Sequence, residues 1–225
     1  MASDRDAGLR PIPLRAGSAP SHNRPMSAIT SLKVLLGVTG GIAAYKSAEL
    51  VRRLREQGAE VQVVMTEGAQ HFVGVATFQA LSGRPVRTDL WDASAEAAMG
   101  HIELARWADR VVIAPASADF LARLAHGMAN DLLTTLCLAT DAPISVAPAM
   151  NRLMWANAAT QANVATLRSR GVTIHGPAEG EQACGETGAG RMVEPADILA
   201  ALLPSEALTI VLSEKGWVRA GKGHE

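Results

Sequence analysis

Aromatic side chains make up only 4% of this sequence, although 48% of its residues are hydrophobic. A core with so few rings must be built from Val, Ala, Leu and Ile, which suits parallel strands covered by Ala-rich helices. Cysteine is scarce too. Cys137 and Cys184 are the only two, too few for a disulfide framework, so a reducing, cytoplasmic setting is expected. Charge is nearly balanced, and a net charge of -1 argues against a nucleic-acid surface held by bulk electrostatics. No apolar run reaches bilayer length and no signal-peptide pattern opens the chain, so no membrane partner is expected. No cluster has metal-ligand spacing, and there is no G-x-S-x-G elbow. The 225 residues give room for one domain of ordinary size plus tails.

What the sequence does contain is organised around residues 33 to 56. Val34 to Val38 is an apolar run without alternation, the pattern of a strand buried on both faces. Thr39-Gly40-Gly41 breaks it, and a helical pattern starts at once. Ala43, Ser47, Leu50 and Leu54 form one row beside Ala44, Ala48 and Val51, while Lys46, Glu49, Arg52, Arg53 and Glu56 take the opposite side. A strand that turns through glycine into a helix aims free N–H groups and the positive helix end at whatever sits above it. The spacing Gly37-x-x-Gly40-Gly41 is neither the dinucleotide fingerprint nor a P-loop. The turn is therefore a phosphate site or a plain tight turn.

Along the rest of the chain strands and helices alternate. Strands are expected at Glu60–Met65, Val86–Leu90, Val111–Ala114, Ile144–Ala147 and Val172–His175. Helices are expected after Thr66, from Ile102 to Ala108, Phe120 to His126, Asp131 to Ala139, Leu153 to Arg170 and Ala196 to Leu203. A Gly-rich loop fills 176 to 191. The fold class is α/β, a three-layer, doubly wound, mostly parallel sheet joined by right-handed crossovers. Residues 1–30, with Arg, Pro, Ser and Gly and no hydrophobic period, read as a disordered tail. Residues 31–204 form the domain.

Thr39-Gly40-Gly41, Thr66, Ser117-Ala118-Asp119, Asn151 and Cys184 all fall just after predicted strand ends. In an open parallel sheet those ends line one rim, where ligands bind. His101 follows Met99-Gly100 at a helix entrance, which favours it over the other histidines for proton transfer. Asn151 either caps the next helix or offers its amide to a carboxylate. Cys184, among Gly185, Gly188 and Gly190, is either inert packing or a proton donor in a loop that closes over a ligand. Cys137, between two leucines, is packing.

Four ordered stretches carry a resemblance: Gly37 to Lys46 (GVTGGIAAYK), Met99 to Ala105 (MGHIELA), Pro148 to Asn151 (PAMN) and Ala183 to Gly188 (ACGETG). From about Lys33 to Leu203 the chain resembles the homo-oligomeric, flavin-containing cysteine decarboxylases. Within them it is most similar to the phosphopantothenoylcysteine decarboxylase branch, and Asp119-Phe120 resembles that branch rather than the peptide-modifying one. The resemblance implies a Rossmann-like flavoprotein fold and bound FMN, held by Thr39, Gly40, Gly41, Ile42, Thr66, Ser117, Ala118 and Asp119. It also implies the substrate 4′-phosphopantothenoyl-cysteine, contacted by Met150, Asn151 and Arg191.

By the same resemblance, flavin oxidises the CH₂–SH unit to a thioaldehyde, giving the carboxylate an electron sink. His101 would assist the accompanying deprotonation, Asn151 would hold the carboxylate, and Cys184 would protonate the ene-thiol left by CO₂ loss. Self-assembly into trimers, or larger shells of trimers, is implied. So is a phosphopantothenate–cysteine ligase, either fused downstream or as a separate partner. Residues 205–225 lack the ligase's Gly-Pro-Thr motif; they read as a vestigial strand, a truncated linker or a tail.

Overall fold

The computed structural model describes residues 32–93 and 100–202, together with the backbone of 208–212 and 218–222. The predicted tail 1–30 therefore lies outside the described residues, as do 94–99, 203–207, 213–217 and 223–225.

The central sheet has the order β2-β1-β3-β4-β5 and is parallel throughout. Its strands are β1 (Lys33–Val38), β2 (Glu60–Met65), β3 (Arg110–Ala116), β4 (Ile144–Pro148) and β5 (Thr173–Ile174). Each of the first four is buried along most of its length, as a sheet covered on both faces requires. On one face lie α1 (Ala44–Glu56), α3 (Val75–Ser82) and α9 (Pro195–Leu202), packed through Leu50, Leu54, Phe78 and Ile198. On the other lie α4 (His101–Trp107), α5 (Ala118–Ala125), α6 (Leu132–Ala139) and α8 (Ala158–Ser169), through Leu104, Phe120, Leu133 and Leu167. The three-layer α/β fold is the one expected. No helix among the described residues is long and apolar enough to cross a membrane.

Gly37 belongs to this packing and not to the turn after it. A Cβ there would stand 2.6 Å from Ile113 Cδ1 and 2.7 Å from Leu133 Cδ1, so only glycine lets α6 settle against the middle of the sheet.

Several local expectations are corrected. Val86–Leu90 forms no strand; only an isolated bridge pairs Val64 with Arg87. The long helix expected at Leu153–Arg170 is two, α7 (Arg152–Ala156) and α8, because Asn157 leaves the helical conformation and its side chain accepts from Ala159 N–H. After Thr66 comes only a short α2 (Glu67–Gln70) before α3. The Gly-rich stretch is largely an antiparallel hairpin, β6 (Ala178–Glu181) with β7 (Thr187–Arg191). Glycines at 180, 188 and 190, with φ of 139°, 154° and 151°, hide a strand pattern from propensity reasoning. Leu208–Leu212 is a strand, β8, paired antiparallel with β9 (Val218–Lys222).

Candidate active site

The strand order reverses direction between β1 and β3, the place where open α/β sheets bind ligands. Thr39 stitches this gap. Its buried hydroxyl donates to Pro115 O at 2.8 Å and accepts from Ser117 N–H at 2.9 Å. Beneath it, Ser47 Oγ donates to Ala114 O at 2.5 Å. These side chains satisfy carbonyls at the end of β3, where the register with β4 shifts.

Two clefts open on either side of this point and share Gly40, Ser117, Ala118 and Met154. The first, about 630 Å³, runs past Thr39, Thr66, Asp119 and the 88–91 segment. The second, about 730 Å³, is walled by Gly41, Ile42, Tyr45, Met150 and Met192, with Asn151, Cys184 and Arg191 at its lip. The predicted cofactor and substrate residues are thus brought to one rim.

The floor between the clefts suits a phosphate. The N-terminus of α1 has no side-chain cap; Ala44 N–H and Lys46 N–H are turned onto Gly41 O and Ala43 O, so an anion would be met by the Gly40-Gly41 turn ahead of them and the positive end of the helix. A Cβ on Gly41 would meet nothing within 4 Å, while one on Gly40 would press at 3.0 Å on the backbone of Gly68. The turn is therefore open above and closed behind. Ser117 caps α5 by accepting from Phe120 N–H at 3.2 Å, which leaves its hydroxyl proton for a ligand. Thr66 caps α2, accepting from Ala69 N–H at 3.3 Å, with its hydroxyl 3.5 Å from Val38 O. Asp119 is ion-paired to Arg123 at 2.9 Å, and Arg123 also reaches Asp131 at 3.1 Å. The apolar second cleft beyond this floor suits a flat ring system. By these criteria the residues fit a flavin mononucleotide.

Cys184 reaches the rim by a route the sequence did not reveal. It sits at the tip of the β6–β7 hairpin, which folds back onto the end of β4 through Met150 N–H to Gly190 O at 2.9 Å. Gly190 permits that approach, since a Cβ there would lie 2.3 Å from Met150 O. Asn151 Nδ2 then stands 3.6 Å from Cys184 Sγ, and Asn151 Oδ1 accepts from Leu153 N–H at 2.8 Å. Asn151 thus caps α7 through its oxygen, the first of its two expected roles, while its nitrogen stands beside Cys184 at the cleft.

Three neighbours went unrecognised in the sequence. Glu186 accepts a short hydrogen bond from Asn151 Nδ2 and pairs with Arg152 at 3.4 Å. The Asn151 bond, aided by Arg152 and opposed by partial desolvation, holds its carboxyl below the usual range. Gln182 Oε1 accepts from Arg152 N–H at 3.1 Å. Lys46, expected on the outer side of α1, is largely covered, donating to Met192 O at 3.1 Å and pairing with Glu194 at 2.6 Å. All three depend on the hairpin and the β7–α9 connection, which no local pattern announces.

His101 opens α4, as predicted, but is not among the residues that line either cleft. Cys137 is the packing residue expected, its thiol pushed by burial up to about 12.

A family model described as Flavoprotein matches residues 22–205. The chain belongs to the flavoprotein family. It is 62% identical over 175 residues to the coenzyme A biosynthesis bifunctional protein CoaBC of Vibrio vulnificus (strain YJ016), a match covering 78% of this chain and 44% of that protein. The chain thus corresponds to less than half the length of this relative. Among solved structures it resembles a cysteine-to-serine mutant of a PPC decarboxylase complexed with pantothenoylaminoethenethiol, at 35% identity and a TM-score of 0.67. That match covers 76% of this chain and 96% of the other. It also resembles the FMN-dependent cysteine decarboxylase SpaF, at 36% identity and a TM-score of 0.63, over 72% and 91% of the two chains.

Proposed function

We propose that this chain is an FMN-dependent decarboxylase that converts 4′-phosphopantothenoyl-cysteine to 4′-phosphopantetheine. The observation that carries the reading is the 3.6 Å meeting of Asn151 Nδ2 with Cys184 Sγ at the mouth of a phosphate-and-ring cleft. It pairs a carboxylate-binding amide with a proton donor beside a redox cofactor's seat.

Gly40, Gly41 and Ile42, with Ser117 and Ala118, would hold the FMN phosphate, with Thr66 and Asp119 alongside. Thr39 supports them by fixing the ends of β1 and β3. When bound, the cofactor supplies a reversible two-electron oxidation of the CH₂–SH unit, which sets a C=S bond β to the carboxylate. The Asn151 amide receives that carboxylate, while Met150 and Arg191 contact the substrate around it. Once CO₂ has left, Cys184 gives its thiol proton to the carbon that lost it. His101 takes part in the first deprotonation. General acid–base groups of this kind contribute about 10²–10⁴-fold each.

Because His101 lies outside both clefts of its own chain, the reading includes a cyclic oligomer, a trimer or an assembly of trimers. In it, His101 of one subunit serves the cleft of the next. Ile42 and Tyr45, 62% and 61% exposed at the cleft wall, are apolar surface that such a neighbour would cover. A phosphopantothenate–cysteine ligase would supply the substrate in the cytoplasm.

The experiment is to purify the protein, identify its bound cofactor by mass spectrometry, and compare two substrates. The reading expects FMN, and CO₂ from 4′-phosphopantothenoyl-cysteine but little from a peptide ending in cysteine. Bound FAD, or preference for the peptide, would overturn it.

A further inference from the structure

Glu186 occupies the group that the substrate's carboxylate needs. Its Oε2 accepts from Asn151 Nδ2 and also lies 3.8 Å from Cys184 Sγ, while its Oε1 takes Arg152 Nη2 at 3.4 Å. The Asn151 amide nitrogen has two N–H donors, one taken by Glu186 and the other directed at Cys184 Sγ 3.6 Å away, and it cannot flip because its oxygen is engaged by Leu153 N–H. A substrate carboxylate taking the N–H that faces Cys184 would stand beside the Glu186 carboxylate held by the other N–H of the same nitrogen, and two such anions repel. Glu186 is the one able to leave: its side chain is 36% exposed and it ends a short turn closed by its own backbone hydrogen bonds. Within that turn Gln182 N–H bonds Glu186 O at 2.8 Å and Gly185 N–H bonds Gln182 O at 2.9 Å. Cys184 rides on the same turn.

We propose that Glu186 is a positioning residue that yields Asn151 to the substrate's carboxylate and reclaims it once CO₂ has gone, bringing the Cys184 thiol onto the reacting carbon only then. The inference deepens the reading above and rests on it. Glu186 makes and breaks no covalent bond. The proton passes from Cys184 Sγ to the carbon that lost CO₂, the two electrons removed in the first step return as hydride from the reduced flavin to the sulfur-bearing carbon, and the thiolate is reprotonated from water. The exchange sets the order of events, because protonation before CO₂ loss would quench nothing useful and protonation long after it would release an ene-thiol.

The test is binding, so it does not depend on turnover. The FMN-loaded protein is titrated calorimetrically with 4′-phosphopantothenoyl-serine, whose hydroxyl replaces the thiol, and with the corresponding ethanolamide, which lacks the carboxylate. In Glu186→Gln the competing charge is gone, and the serine compound should bind about three- to tenfold tighter, as expected for relief of one partly solvated like-charge contact. The ethanolamide should bind as in the wild type, and Glu186→Asp should restore the wild-type ratio. During turnover of the cysteine substrate, Glu186→Gln should also leak ene-thiol product. A merely structural glutamate would weaken both compounds alike, and that result, or an unchanged ratio, overturns the exchange. If the wild type turns over phosphopantothenoyl-cysteine while the ratio stays flat, only the exchange is wrong. If the wild type neither binds nor turns it over, the function proposed above fails as well.

Discussion

Asn151 and Cys184 lie 33 residues apart in the chain, yet the amide nitrogen of one meets the sulfur of the other across the mouth of a cleft. The first sits at the end of a buried parallel strand and the second at the tip of a small antiparallel hairpin. Their meeting depends on how closely the hairpin seats on Met150, and each consequence can be measured.

Glycine 190 sets that seating. Gly190→Ala would drive a Cβ to 2.3 Å from Met150 O and 2.4 Å from Gln182 Nε2, in a backbone conformation, φ 151°, that side chains disfavour. The hairpin should lift, at a local cost of about 1–3 kcal/mol. Since the hairpin is not part of the central sheet, Tm should fall by only a few degrees. Turnover should fall about 100-fold, the scale of a 1 Å misplacement. Thermal melts and product assays on the same preparation check both halves.

His175 predicts how stability responds to pH. Burial lowers its pKa from 6.5, and its Nε2 is buried without a hydrogen-bond partner among the described residues. The unfolded chain therefore binds a proton at a pH where the folded one does not. This contribution to stability is complete above pH 6.5 and is lost as pH falls from there through the depressed folded value. In urea titrations at pH 7.5 and 5.5, wild type should lose more stability than His175→Gln. An equal loss would mean that His175 is not the group involved.

Assembly can be tested by complementation. His101→Asn and Cys184→Ser chains, neither able alone to form phosphopantetheine, should regain part of that product formation when co-assembled, because some clefts then receive an intact histidine and an intact cysteine. Mixed assemblies of normal size that stay inactive, or an active monomer in light scattering, would count against the shared site.

The three-layer sheet was legible because buried parallel strands are unbroken apolar runs, as in Val34–Val38 and Val111–Ala114, and because Gly40-Gly41 marks the turn between β1 and α1. The rim was legible for the same reason: Thr39, Ser117 and Asn151 each follow such a run. The hairpin was not. Its strands, Ala-Glu-Gly-Glu and Thr-Gly-Ala-Gly-Arg, have no apolar alternation, since they are glycines cut to fit Met150 and Arg152. With the hairpin unseen, Glu186 and Gln182 had no visible partner. Lys46 was misassigned because a helical wheel cannot foresee the β7–α9 chain returning over it.

The central claim is that Cys184 supplies the proton after CO₂ has left. Anaerobic incubation of FMN-loaded wild type and Cys184→Ser with 4′-phosphopantothenoyl-cysteine, following CO₂ and the masses of the products together, tests it most directly. The account predicts CO₂ and 4′-phosphopantetheine from the wild type. From Cys184→Ser it predicts CO₂ with the ene-thiol, two hydrogens lighter, and little phosphopantetheine. Normal product at the normal rate from Cys184→Ser, or no CO₂ from the wild type, would contradict it.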